Sequence, residues 1–127
     1  MPEIQVQIDA NGPSIEVEVT IGQPVRGIYR IFLWDHTAKK SEKIGEGLNY
    51  DAIADRFAIK DAPTQLDKKA VSWEYVVDLG PPPGSRRAQA TVRIWQGSNE
   101  LHTETATLSG NSTKAGCGYI RLVLGGN

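Results

Sequence analysis

The sequence predicts an all-β protein, a single antiparallel β-sandwich of about seven or eight strands, immunoglobulin-like in character and without the disulfide such domains often carry. Three observations lead there. Ile and Val together number 20 against eight Leu, and side chains branched at Cβ favour the pleated strand over the helix. Apolar residues alternate with polar ones in several short runs, the period of a strand with one buried face. Gly, Pro and Asn punctuate those runs at hairpin spacing. A chain of 127 residues, 39% hydrophobic and 23% charged, fits one globular domain over 1–127. At that length about two thirds of the unfolded surface can leave water, enough for a core without metal or disulfide staples.

The first two runs alternate cleanly, with Ile4, Val6 and Ile8 on one face and Ile15, Val17, Val19 and Ile21 on another. Asn11-Gly12 between them suits a type I′ turn, so the expectation is a hairpin with Ile8 opposite Ile15 and Val6 opposite Val17. Residues 28–36 read as a central strand apolar on both sides, Tyr29, Ile31 and Leu33 against Ile28, Phe32 and Trp34; such a strand is packed on both faces or lends one to binding. From 37 to 69 the pattern loosens into a long excursion. Tyr50, Ile53 and Phe57 are spaced for one short helix or 3₁₀ turn, with Phe57-Ala58-Ile59 readable equally as a short strand.

Val71, Trp73, Tyr75, Val77 and Leu79 mark the strongest strand, ended by Gly80-Pro81-Pro82-Pro83-Gly84, whose prolines donate nothing to a ladder. Residues 88–96 and 100–108 form a second hairpin. Of two registers, the expected one turns at Ser98-Asn99, sets Arg93 opposite Glu104 and puts Trp95 beside His102, because the other would bury His102 and Glu104 beside Val92 and Ile94. A Gly- and Ser-rich loop, 109–118, then leads to a last strand with Ile120, Leu122 and Leu124 inward and Tyr119, Arg121 and Val123 outward.

Chemistry is sparse. Fourteen Lys and Arg against fifteen Asp and Glu leave a net charge of -1, which argues against nucleic acid or an anionic membrane as partner. The one cysteine, Cys117, permits no internal disulfide, and no basic-then-apolar leader opens the chain, so a cytoplasmic setting is expected, secretion after leader removal being the other route. Two histidines and one cysteine are too few for a zinc site. Asp35 and His36 are neighbours on a strand and point to opposite faces, which spoils a general-base pair. Asp51 and Asp55 lack the loop that surrounds calcium ligands. Gly110–Lys114 lacks the order of a phosphate-binding loop, Gly116-Cys117-Gly118 lacks its third glycine, and no nucleophile elbow surrounds Ser109. No catalytic residue, metal or cofactor is assigned.

What remains is a set of large side chains expected to point away from the first core. Arg30, Phe32 and Trp34, Arg93 and Trp95, and Tyr119 and Arg121 are expected to share one outer face, with His102 beside Trp95. Arg, Trp and Tyr are the residues that dominate protein interfaces, because they present wide rigid surface at small entropic cost. The expected function is therefore a non-catalytic binding or assembly module that contacts a protein partner or a second copy of itself. A carbohydrate-binding module, whose aromatics stack on sugar rings, is the alternative, and a small hydrolase without a recognised motif stands third.

Overall fold

A computed structural model describes residues 4–22, 26–49 and 55–125. Among them are nine strands, β1 (Gln5–Ile8), β2 (Ile15–Gly22), β3 (Arg26–Asp35), β4 (Lys40–Asn49), β5 (Asp55–Ala58), β6 (Ala70–Asp78), β7 (Arg86–Gln96), β8 (Asn99–Gly110) and β9 (Thr113–Leu124), and one 3₁₀ turn, Pro63–Gln65. They form two sheets packed face to face, a five-stranded one ordered β1-β9-β6-β3-β4 and a four-stranded one ordered β5-β2-β7-β8. The protein is an all-β sandwich. An immunoglobulin domain ends on two strands of one sheet. Here β8 and β9 fall in different sheets, so the immunoglobulin-like part of the expectation is not supported. None of the described helical residues forms a helix long and apolar enough to cross a membrane.

The alternation of β2 is realised strictly: Ile15, Val17, Val19 and Ile21 are all buried between the sheets, each contributing roughly 1.5–3 kcal/mol by leaving water. Opposite them stand Tyr29, Ile31 and Leu33 of β3 and Trp73, Tyr75 and Val77 of β6. The rings of Trp73 and Tyr75 fit because β9 carries Gly118 and Gly116 beneath them; a Cβ at Gly118 would sit 2.7 Å from Trp73. The same device recurs beside β4, where Gly45 and Gly47 leave room for Phe57 and Tyr29. Those two rings meet edge to face at 6.1 Å, and the Tyr29 hydroxyl donates to Asp55. Tyr29 thereby ties β3 of one sheet to β5 of the other.

Four expectations about connections are corrected. The Asn11-Gly12 hairpin does not form: β1 pairs in parallel with β9, while β2 lies in the other sheet between β5 and β7. A type I′ turn needs positive φ at both central residues, and neither Asn11 nor Gly12 has it. The two buried faces are instead halves of the sandwich, facing one another across the core. Gln96 holds this crossing. It is 4% exposed, its Oε1 accepts from Asp9 N at 2.9 Å, and its Nε2 donates to Asp9 O at 2.7 Å and Pro13 O at 3.1 Å.

Half of the described residues of the 37–69 excursion lie in strands. β4 pairs with β3 through a bulge that leaves Ile44 without an opposite number, and β5 pairs with β2. Phe57 is a strand residue, as the alternative reading had it, and the 3₁₀ turn lies further on at Pro63; Tyr50, Asp51 and Ile53 lie outside the described residues. The segment after the turn is pinned to β9 by Lys68 N to Leu122 O and Leu122 N to Lys69 O, at 2.7 and 2.8 Å, with Leu66 fully buried beneath it.

Over residues 88–94 the β7–β8 register is the one rejected on desolvation grounds, whereas near the turn it follows neither expectation. The turn is Gly97-Ser98, Gly97 at φ +62°, with a bulge that skips Leu101, so Ile94 faces His102 and Val92 faces Glu104, while Trp95 faces Glu100. The feared cost is small because β8 is a sheet edge: His102 and Glu104 look inward yet stay partly exposed, with Nε2 and Oε1 3.4 Å apart. The 109–118 loop shrinks to Asn111-Ser112, since β8 and β9 run almost into it from either side.

Candidate binding face

The outer surface of the five-stranded sheet is built on β3, β6 and β9, and their registers align their outward residues in rows. Ile28, Val76 and Ala115 make one row; Arg30, Glu74 and Cys117 the next; then Phe32, Ser72 and Tyr119; then Trp34, Ala70 and Arg121. In the last two rows a small residue of β6 lies between large ones on its neighbours. Strands two apart are separated by about 10 Å, so Ser72 and Ala70 floor a trough walled by Phe32 and Trp34 on one side and Tyr119 and Arg121 on the other. The depression there measures about 560 Å³. A second, of about 420 Å³, lies over the Ile28 row.

Between the two runs a strip of ions. Arg30 reaches Glu46 of β4 and Glu74 of β6, both at 3.7 Å, and Lys43 holds Glu46 at 2.9 Å. The Lys43 ammonium keeps the Glu46 carboxyl below its usual value. These groups are about half exposed, and such pairs add little to stability. Arg121 is oriented from the side, its Nη1 donating to Lys68 O at 2.6 Å.

Of the four large apolar side chains exposed among the described residues, three lie on this sheet's outer face: Ile28 at 44%, Tyr119 at 53% and, on β4, Leu48 at 61%. The fourth, Ile4, stands just before β1.

The sequence therefore assembles five of its eight named residues here, Arg30, Phe32, Trp34, Tyr119 and Arg121. It does not assemble the other three. Arg93 and Trp95 belong to β7, on the opposite outer surface of the sandwich. There Arg93 joins Glu18 and Glu100, each at 3.0 Å, and the Arg56 guanidinium lies 4.3 Å over the Trp95 ring while pairing with Glu16 at 3.6 Å. That surface is closed by its own ion pairs. His102 pairs with Ile94 and points toward the interior at the β8 edge, on the other side of the sheet from the Trp95 ring.

Leu48, Ser72, Val76 and Ala115 were not named from the sequence. Ser72 alternates with the inward residues of β6 and so faces outward, but only the β3–β6–β9 adjacency gives it a role, and no periodicity encodes adjacency. Catalytic readings gain nothing in the fold. His36 is exposed, and the Asp35 carboxylate accepts from Thr37 N and Ala38 N, the Ala38 bond chiefly lowering its pKa. No group of three His, Cys, Asp or Glu among the described residues is placed to hold a metal. Comparison with protein-family models, with curated proteins and with solved structures yields no match.

Proposed function

We propose that the protein is a non-catalytic binding module that docks a protein partner on the outer face of its five-stranded sheet. The observation that carries this is the concentration of exposed apolar surface, Ile28, Leu48 and Tyr119, on the face that also bears the Phe32–Trp34 trough. The opposite face shields its one tryptophan beneath an arginine. Contiguous apolar surface is costly to leave in water and marks interaction sites.

The ionic strip across the middle divides the face into two apolar seats. Val76 and Ser72 are four residues apart on β6, about 13 Å in an extended strand. The partner that fits is an extended segment with apolar or aromatic anchors about four residues apart and a polar residue between them, one anchor at Tyr119 and the other at Ile28.

Display of a random peptide library against the protein, with Ser72→Arg and Val76→Arg as counter-selections, tests this. The expected result is enrichment of peptides with two spaced apolar anchors, each variant weakening them about tenfold or more through its own seat. Peptides that bind all three proteins alike would overturn the reading. The rings of Phe32, Trp34 and Tyr119 around Ser72 also suit a sugar ring, so a glycan array showing a signal that Trp34→Ala removes, with no peptide enriched, would transfer the site to carbohydrate.

A further inference from the structure

A sandwich has open sheet edges, and the rows of unpaired N–H and C=O groups along them invite another strand unless something discourages it. Four of the open stretches here are discouraged. β1 and β5 are four residues long. β4 carries Lys40, Glu42, Lys43 and Glu46 around its bulge. The part of β9 beyond the reach of β1 has Lys114 and the glycines 116 and 118.

β8 differs. It runs 12 residues without proline, lysine or arginine, and both its charges and its bulge sit toward the turn at its start, leaving Thr105–Gly110 regular and uncharged. Thr103, Thr105 and Thr107 stand exposed on its outward side, and threonine favours strands. Among the described residues the backbone of 103–109 bonds only to β7.

From this asymmetry we propose that two copies of the chain pair antiparallel through β8, about a two-fold axis at Ala106, joining two four-stranded sheets into one of eight. A second copy is the fitting occupant because the edge complements itself. With the axis at Ala106, Thr105 faces the partner's Thr107 twice over, repeating the Thr91–Thr105 hydroxyl contact of 3.0 Å already present within the sheet. Glu104 faces the partner's Leu108, and the two Glu104 carboxylates lie about 14 Å apart along the strands, beyond the roughly 8 Å screening length of physiological salt. An axis at Glu104 would instead set like charges directly opposite. A net charge of -1 adds no general repulsion. The contact is isologous and closed, and it leaves the proposed docking face of the other sheet free.

Sedimentation velocity over a wide concentration range is expected to show a reversible species of twice 13.9 kDa. Thr105→Lys with Thr107→Lys sets lysine against lysine at two symmetric places and is expected to weaken the dimer about thirtyfold. Thr105→Glu with Thr107→Lys sets glutamate against lysine at the same places and is expected to restore it. Circular dichroism establishes that each variant is folded. A monomer at every concentration, a dimer indifferent to the paired lysines, or failure of the glutamate–lysine variant to recover would each overturn the proposal. A dimer abolished by Ser72→Arg but not by the paired lysines would move self-association to the other sheet.

Discussion

Gln96→Ala should cost more than any other polar truncation on β7. The side chain satisfies three backbone groups at the place where the chain leaves one sheet for the other: Asp9 N, Asp9 O and Pro13 O. Each bond contributes about 1 kcal/mol net, and a group left without a partner inside costs more. Asp9 and Pro13 are themselves exposed residues, so water recovers part of the loss, and the expected destabilisation is about 3 kcal/mol. For a chain of this size that is roughly 10 °C in Tm. Thermal and urea unfolding followed by circular dichroism measure it, with the exposed Gln89→Ala as the comparison. Gln96→Glu sharpens the test: a carboxylate still accepts from Asp9 N but faces two carbonyls with no proton to donate. Its folded pKa is expected to rise, so the variant is destabilised above the usual carboxyl range and recovers as pH falls through it. A loss under about 1 kcal/mol for Gln96→Ala, or a Gln96→Glu protein whose stability does not improve on acidification, would show that the crossing is held by the flanking strands and not by this side chain.

Four further outcomes follow from the packing. Gly47→Ala places a methyl against the Tyr29 hydroxyl and should cost about 1–3 kcal/mol; combined with Tyr29→Phe the loss should be smaller than the sum in a double-mutant cycle. Tyr29 and Tyr75 are both held protonated above the ordinary phenol value of 10.0, chiefly by burial, with Asp55 adding to the first and Cys117 and Glu104 to the second. Because the folded protein keeps those protons more tightly than the unfolded chain, stability is full below pH 10 and falls above it, by up to about 1.4 kcal/mol per pH unit for each phenol; alkaline denaturation profiles of Tyr29→Phe should be correspondingly shallower. Arg56→Ala uncovers Trp95 and should shift its emission to longer wavelength at a stability cost of about 1 kcal/mol. Ile28→Ser and Leu48→Ser should each change stability by less than about 0.5 kcal/mol, measured by urea unfolding, because these side chains already face water; a loss of about 2 kcal/mol would mean that they are covered and that the face is part of the core.

Strand positions and their inward residues were legible because period two is a local property: β2, β3 and β6 bury the side chains the alternation names, and the end of β9 buries Ile120 and Leu122 with Leu124 half-buried. Partnership was not legible. Ile8 and Ile15 alternate as two strands of one hairpin would, yet they lie in opposite sheets, since alternation states that a face is buried and not what it is buried against. Gly12 misled for a related reason. It is required not for a positive φ but for space, because a Cβ there would sit 2.6 Å from Gln96 Nε2. In the β7–β8 hairpin the desolvation argument presumed a central strand. At an edge a histidine and a glutamate can look inward and remain wet, so burial cost chose the wrong register. The excursion hid β4 because Gly45, Gly47 and a bulge break the alternation, and those glycines are glycines for the sake of rings from elsewhere in the chain.

The candidate face shows the same division between local and non-local information. Outward direction was readable for Arg30, Phe32, Trp34, Tyr119 and Arg121, and equally for Arg93 and Trp95, but a sandwich has two outer surfaces and direction alone cannot assign a residue to one of them. The surrounding charges make the assignment meaningful. Around Trp95 the ions are paired and one of them covers the ring: Arg56 spans Glu16 and the indole, while Arg93 spans Glu18 and Glu100. Beside Phe32 and Trp34, Arg30 with Glu46 and Glu74 forms a strip, and Arg121 stands at the trough's wall with its guanidinium bonded to Lys68 O. Surface pairs of this kind contribute so little stability that their placement is free to serve something else. On one face they close over an aromatic ring, and on the other they separate two apolar seats without filling either, which is the arrangement a second chain requires if it is to be held at two points and kept in register by the charges between them.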